Sequence, residues 1–263
     1  MMENREEAIR LEVKTDKQAV RDEARWCGIG PGMRVLDAGC GPGLTTSILS
    51  DMVQPGGAVV GVDYSDMRIQ YARDHYGGDG NISFHVRDLR GDLTDLGQFD
   101  LIWVRFVLEY NRVESPDIVK RLTECLTPDG TLCLLDLDYN CLNHYQMTPQ
   151  IEDILQKVMA RMDAQFNFDT YAGRKLYSYL YDLDYRDIAL QMKAHHLIYG
   201  TIREEDVFNW VKKMEVAGSI VGDLFDTYPG GHTQLVADFK KLLLDPRRFT
   251  YTPLILCKGT RPR

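Results

Sequence analysis

Apolar and polar positions along this chain fall into blocks, and the period changes from block to block. Val35-Leu36-Asp37-Ala38 reads as a buried strand that ends in an acid and enters a glycine-rich turn, and Leu44–Met52 then takes helical spacing. The order repeats. An apolar strand over Ala58–Val62 precedes a helix over Asp66–Tyr76, for which Ser65 is a suitable cap. Strands are predicted over Ile82–Val86 and Phe99–Val104, and Pro116 fits the first turn of a helix running to about Cys125. Pro128-Asp129-Gly130 signals a turn before an apolar strand over Thr131–Asp136. Strands that alternate with helices predict an α/β fold with a mostly parallel sheet.

The flanks carry other patterns. Residues 3–32 are charged and helix-prone, with a helix over Asp16–Cys27 in which Trp26 is more simply a core contact than part of a ligand cover. Residues 139–147 form a polar and aromatic loop, and Thr148-Pro149 starts a helix over Gln150–Phe166. Gly173–Leu183 is a further helix; Tyr177 and Tyr181 share one of its faces, a spacing that favours a core stripe. Asp187–Leu197 alternates as a half-buried strand does. Thr201-x-x-Glu204 has the form of a capping box for a helix through about Val216. A helix over His232–Leu244 and an apolar strand over Phe249–Lys258 complete the chain.

Composition narrows the function. The net charge of −8, from 31 basic and 39 acidic residues, argues against a large nucleic-acid footprint. Lys212-Lys213 and Arg247-Arg248 are basic pairs read as a solvated helix face and a loop. The six cysteines form no Cys-x-x-Cys pair, and no metal-ligand spacing accompanies them. No stretch is long and apolar enough to span a membrane, and no signal-peptide core opens the chain. A reduced, cytoplasmic setting is the expectation, with no membrane partner.

The candidate chemistry sits at the strand ends. Gly39, Gly41 and Gly43 let backbone approach a ligand closely. A dinucleotide fingerprint would need a glycine at Leu44 instead of Gly43, and the lysine of a phosphate loop is missing. Asp37, just before the turn, would repel a pyrophosphate and attract an amino or sulfonium group. Asp63 falls 20 residues after Gly43, at the end of the second strand, and suits a ribose diol. Asp88 follows the third strand.

This series resembles the Rossmann-like class I S-adenosylmethionine (SAM)-dependent methyltransferases over roughly residues 33–138, with Val35–Gly43 in the position of their first motif. The resemblance implies a seven-stranded, mostly parallel sheet with an antiparallel last strand and helices on both faces. About fifty helix-rich residues separate strands six and seven here, and they read as an inserted helical cap. The expected organisation is an N-terminal helical cover over 1–32, a SAM-binding core over 33–146, and a C-terminal part over 147–263 that completes the sheet and caps the substrate. The residues implied for the cofactor are Asp37, Gly39, Cys40, Gly41, Gly43, Asp63, Tyr64, Met67, Asp88, Leu89, Arg105 and Phe106, with Cys40 as a small turn residue and Asp88 toward the adenine.

The implied activity is methyl transfer from SAM, leaving S-adenosylhomocysteine, to a small molecule at oxygen or nitrogen. The alternatives are a protein methyltransferase and a non-enzymatic SAM-binding protein; a dehydrogenase is disfavoured by Asp37 and the glycine spacing. The cofactor supplies most of the activation, so no Ser-His-Asp set or metal is needed, and no metal site is expected. His144 and Tyr145, in the loop after strand five, are the candidates for the acceptor side. The alternative for His144 is a surface loop residue. His195 and His196 lie on the sixth strand, where alternation would point them to opposite faces. Arg174 is read as an ion pair with Asp169 or Asp182, or as a clamp for an anionic substrate group. The sequence does not indicate the oligomeric state.

Overall fold

β1 (Arg34–Ala38) lies in the middle of a seven-stranded sheet because its two faces are both apolar. Val35 packs into one core layer, and Leu36 and Ala38 into the layer on the other side. Strands buried on both faces are the mark of parallel sheets covered by helices. The computed structural model describes residues 12, 15–78, 80–139 and 142–262, apart from the side chains of 219 and 220. The remainder of the expected N-terminal cover, and Asn140 and Cys141 of the loop after strand five, lie outside the described residues.

The strand order is β3-β2-β1-β4-β5-β7-β6. β2 (Ala58–Asp63), β3 (Ile82–Val86), β4 (Phe99–Arg105) and β5 (Leu126–Leu137) run parallel to β1. β7 (Phe249–Thr260) is antiparallel to β5, and β6 (Arg186–Tyr199) is antiparallel to β7. The implied mixed sheet is therefore present. α1 (Lys17–Cys27) and α2 (Leu44–Met52) bury Ala24, Cys27, Leu49 and Val53 on one face. α4 (Ser115–Glu124) and α6 (Ala172–Asp182) bury Ile118, Leu122, Leu176 and Leu180 on the other. α3 (Asp66–Tyr76) packs Ile69 and Ala72 on Phe84 of β3.

A second apolar cluster forms the cap. It joins α5 (Pro149–Gln165), α7 (Glu204–Phe225) and α8 (Gly231–Leu244) through residues such as Ile154, Trp210, Phe225 and Phe239. α7 and α8 are the inserted helices between β6 and β7. Leu254 of β7 pairs with Leu137, the last residue of β5, whereas Phe249 pairs with Tyr199. Residues 249–253 thus run past the end of β5 with β6 beside them, a reach of roughly 17 Å.

Several local expectations change. The turn at Pro128–Gly130 is a bulge inside β5, with Asp129 at φ 62° and the register to β4 shifted between Phe99 and Leu101. The capping box at Thr201 does not form: α7 starts after Arg203 and makes no side-chain cap bond. Glu204, Glu205 and Asp206 in its first turn favour the positive end of the helix dipole. α7 also runs on beyond Val216 to Phe225, through a kink at Val221. The Tyr177–Tyr181 pair stands outside the core, exposed beside buried Leu176 and Leu180. Arg248, read as a loop residue, is 1% exposed: its guanidinium donates to the carbonyls of Leu243, Ile198 and Gly200.

Candidate active site

The glycine turn is held from below by the neighbouring strand. Gly39 and Cys40 both donate their N–H to the Val62 carbonyl, at 2.8 and 2.9 Å. Gly41 N–H reaches the Asp63 carboxylate at 3.0 Å, and Ser65 N–H takes its other oxygen at 3.0 Å. Arg68 Nη1 stands 3.9 Å from the same carboxylate. A Cβ on Gly39 would meet the Val107 side chain at 2.3 Å, so close packing requires glycine there. At Gly41, with φ +55°, nothing lies within 4 Å of that position. The turn is therefore tight on its protein side and open on the side where a ligand would meet backbone. That open face, beside acids and with no basic phosphate partner in the turn, fits an adenosyl sulfonium ligand.

Asp37 is buried at the end of β1, and one of its oxygens accepts the Thr46 hydroxyl proton at 2.7 Å. Burial pushes its pKa from the ordinary 3.8 up to about 7, with the Thr46 bond and the Arg105 charge pulling the other way. The carboxyl is thus poised to ionise when a cation arrives. Cys40 is buried, and its thiol is pushed well above the usual range by that burial and by Asp37 and Asp63. Such a thiol stays protonated and is a turn residue, not a nucleophile.

The remaining candidates spread along the same edge. Tyr64 is half exposed and Met67 half-buried in the first turn of α3. Leu89 is buried, whereas Asp88 is exposed and clasped by Arg90, whose guanidinium and backbone N–H all donate to it. Arg90 holds the Asp88 carboxyl below its usual range. Arg105 forms an ion pair with Glu23 of α1 at 2.8 Å, with the two side chains 10% and 3% exposed, and lies 4.1 Å over the Phe106 ring. Glu23 was not a sequence candidate; an acid on the otherwise apolar stripe Val20-Glu23-Ala24-Cys27 was its only signal. Trp26 turns instead to β7, where Lys258 lies over its ring and donates to its carbonyl at 2.6 Å.

Asp136, near the end of β5, is the second residue that patterning understated. Its buried carboxylate accepts the N–H groups of Leu108 at 2.9 Å, Glu109 at 3.1 Å and Leu137 at 2.9 Å. It fixes the short turn after β4, and burial with the nearby Glu109 charge pushes its pKa up. Arg174 pairs with neither expected acid: its fork meets both oxygens of Asp138 at 2.8 Å, and its face lies on Tyr171.

The acceptor side departs furthest from expectation. His144 is buried in the cap. Its ring lies edge-on to Trp210 and Phe239, with Nδ1 2.8 Å from the Thr250 hydroxyl. It is therefore not a surface loop residue. Tyr145 is exposed and lines, with His144, Tyr139, Glu152, Phe249 and Tyr251, an open cavity of about 380 Å3 at the cap's margin, so the two acceptor-side candidates meet at one cavity. His195 and His196 do not diverge, because a register shift between Ala194 and His196 breaks the alternation and brings their rings to 4.4 Å. Among the described residues no group of acids, histidines and cysteines has the arrangement of a metal site, and no helix is long and apolar enough to cross a membrane.

Comparison with known proteins gives the family and the fold. The sequence profile of a family described as "Methyltransferase domain" matches residues 29–194. The Magnesium-protoporphyrin O-methyltransferase of Rhodobacter capsulatus is 44% identical over 97 residues, 35% of this chain and 39% of that protein. The Juvenile hormone acid O-methyltransferase of Bombyx mori is 36% identical over 121 residues, 45% of this chain and 42% of that protein. The matched parts thus span about two fifths of these relatives' length. The solved structure of a Haemonchus contortus phosphoethanolamine N-methyltransferase 2, with S-adenosylhomocysteine bound, shares the fold at a TM-score of 0.58 and 16% identity. That likeness covers 94% of this chain and 53% of that one.

Proposed function

The chain belongs to the methyltransferase domain family, and on that footing we propose that it moves the methyl group of SAM to an oxygen or nitrogen of a small molecule. The observation that carries the reading is the turn whose Gly41 side is open while Asp37 and Asp63 flank it. When bound, SAM supplies a methyl on a positively charged sulfur, and an incoming lone pair displaces the thioether.

The chain's own residues bind, orient and exclude water. Asp63 exchanges its bond to Gly41 for the ribose hydroxyls, and the freed Gly41 N–H faces the ligand. Asp37 meets the methionyl amine, directly or through water, and ionises as it does so. Asp88 and Leu89 flank the adenine, Tyr64 and Met67 line the ribose side, and Arg105 and Phe106 lie beneath the methionyl part. Gly39, Cys40 and Gly43 shape the turn. In this division of labour the described part of the N-terminal segment, residues 15–32, covers the cofactor, 33–146 hold it, and 147–263 complete the sheet and enclose the acceptor. Relatives described as O-methyltransferases support a small-molecule acceptor. Free, buried cysteines at Cys27, Cys40, Cys125, Cys133 and Cys257 suit a reducing, cytoplasmic setting.

The test is calorimetric titration with SAM, S-adenosylhomocysteine and NAD. Micromolar binding of the first two and none of NAD is expected. Binding of NAD alone overturns the reading.

A further inference from the structure

The bulge in β6 gives this edge a histidine that regular pleating would have turned away. Ala194 pairs with Pro253 and His196 with Thr252, so His195 is the extra residue between them. Bulges re-aim side chains, and here both imidazoles fall on one side of the strand. The His195 ring lies 4.9 Å from the Phe106 ring, edge to face. Phe106 is the first residue after β4, at the end of the strand next to the glycine-turn strand, and its N–H is held by the Leu135 carbonyl at 2.9 Å. Its φ of 57° lies in the left-handed region, which a bulky side chain seldom adopts. On the other side, His196 lies 5.5 Å from the Trp210 ring of the cap, with Nδ1 3.3 Å from the Thr252 hydroxyl.

We propose that His195 is the side chain that faces the acceptor at the methyl-transfer site, with His196 as the residue that positions it. The proposal rests on the cofactor reading above, which places the methionyl part over Phe106. The pair links the donor side, at Phe106, to the cap, at Trp210, through ring contacts of 4.9, 4.4 and 5.5 Å. The other described imidazoles lie apart from Phe106: His75 is stacked on Tyr71, His85 is on β3, His144 lines the cavity beside Tyr145 with its ring against Trp210 and Phe239, and His232 is stacked on Phe225. A hydroxyl or amine acceptor must lose one proton as it gains a methyl group, and His195 takes that proton at a ring nitrogen and passes it to water. This assigns to the sixth strand the role that sequence position assigned to the loop after the fifth.

The test uses the whole chain labelled with 15N-histidine, with resonances assigned through His195→Gln, His196→Gln and His144→Gln. S-adenosylhomocysteine is added first, and then sinefungin, an analogue that carries an amine where the methyl group would stand. The His195 ring resonances should move with both ligands and further with sinefungin, while those of His144 stay within the linewidth. Calorimetry should show His195→Gln binding S-adenosylhomocysteine within about twofold of the parent. If the homocysteine binds but the His195 resonances are unmoved, or respond alike to both ligands, the assignment is wrong. A loss of more than tenfold in His195→Gln also overturns it, since the residue would then belong to the cofactor pocket. No binding of either ligand to the parent chain rejects the cofactor reading, and this proposal with it.

Discussion

The glycine-turn side and the cap side of this sheet edge hold their buried polar groups differently. On the first, the partners come from the two adjacent strand-turn-helix units of β1 and β2: Asp37 meets Thr46, and Asp63 meets Ser65 of its own unit and Gly41 of the neighbouring one. On the second, most come from distant segments: Arg248 is held by the nearby Leu243 carbonyl and by those of Ile198 and Gly200 across the sheet, and His144 by Thr250. A site built from local units is rigid before any ligand arrives. One assembled from distant segments can vary its walls without disturbing the donor side. Glu23–Arg105 is an exception on the donor side, since it brings α1 onto the end of β4.

That exception gives the largest expected effect. Glu23→Gln leaves Arg105 buried without its counter-charge, and urea unfolding should show a loss of about 3–5 kcal/mol. A change near zero would mean that the cover is not anchored there. Next, Arg248→Met removes a guanidinium from three carbonyls, a loss of roughly 3 kcal/mol. Hydrogen exchange should then quicken in α7, α8 and the β6–β7 extension while β1 and β2 stay protected. Equal loss in both regions would erase the distinction between them. Asp63→Ala should weaken SAM binding by roughly 1.5–3 kcal/mol, the range for hydrogen bonds to a charged group. Unchanged affinity in a folded variant rejects its assignment to the ribose.

The smallest change in affinity comes from the pH dependence of Asp37. Its pKa of about 7 lies above the ordinary 3.8, so between these values the folded chain keeps a proton that the unfolded chain has lost. The stability of the ligand-free chain should therefore fall as pH rises from 4 to 7 and level off above. Binding of the methionyl ammonium runs the opposite way, because it needs the ionised carboxylate. Affinity for S-adenosylhomocysteine should rise about fivefold from pH 6 to pH 7, and Asp37→Asn should flatten both trends.

The same contrast explains what was legible in the sequence. Val35–Gly43, Asp63 and the following helix could be read because their contacts lie within recurring local units. The helical insert was also visible, since caps and apolar spacing announce helices wherever they pack. The role of Arg248 was hidden, because a basic pair in a loop looks the same whether or not carbonyls surround it. The His195–His196 pairing was hidden because strand alternation assumes a regular register, and the bulge opposite Pro253–Thr252 depends on the partner strand. Asp136 carried a signal of its own: an acid within Leu-Cys-Leu-Leu-Asp-Leu stands where the pattern calls for an apolar side chain. Tyr177 and Tyr181 misled, because helical spacing shows that residues share a face but not which face is covered.

The central claim is that the glycine turn and Asp63 hold the adenosyl group while Phe106 and His195 face the transferred methyl. A crystal structure of the chain with S-adenosylhomocysteine tests it directly. The account predicts the ribose hydroxyls on Asp63, Gly41 N–H released toward the ligand, and the sulfur over Phe106 on the side of His195. A ligand bound elsewhere, with Asp63 still closed on Gly41, would contradict it.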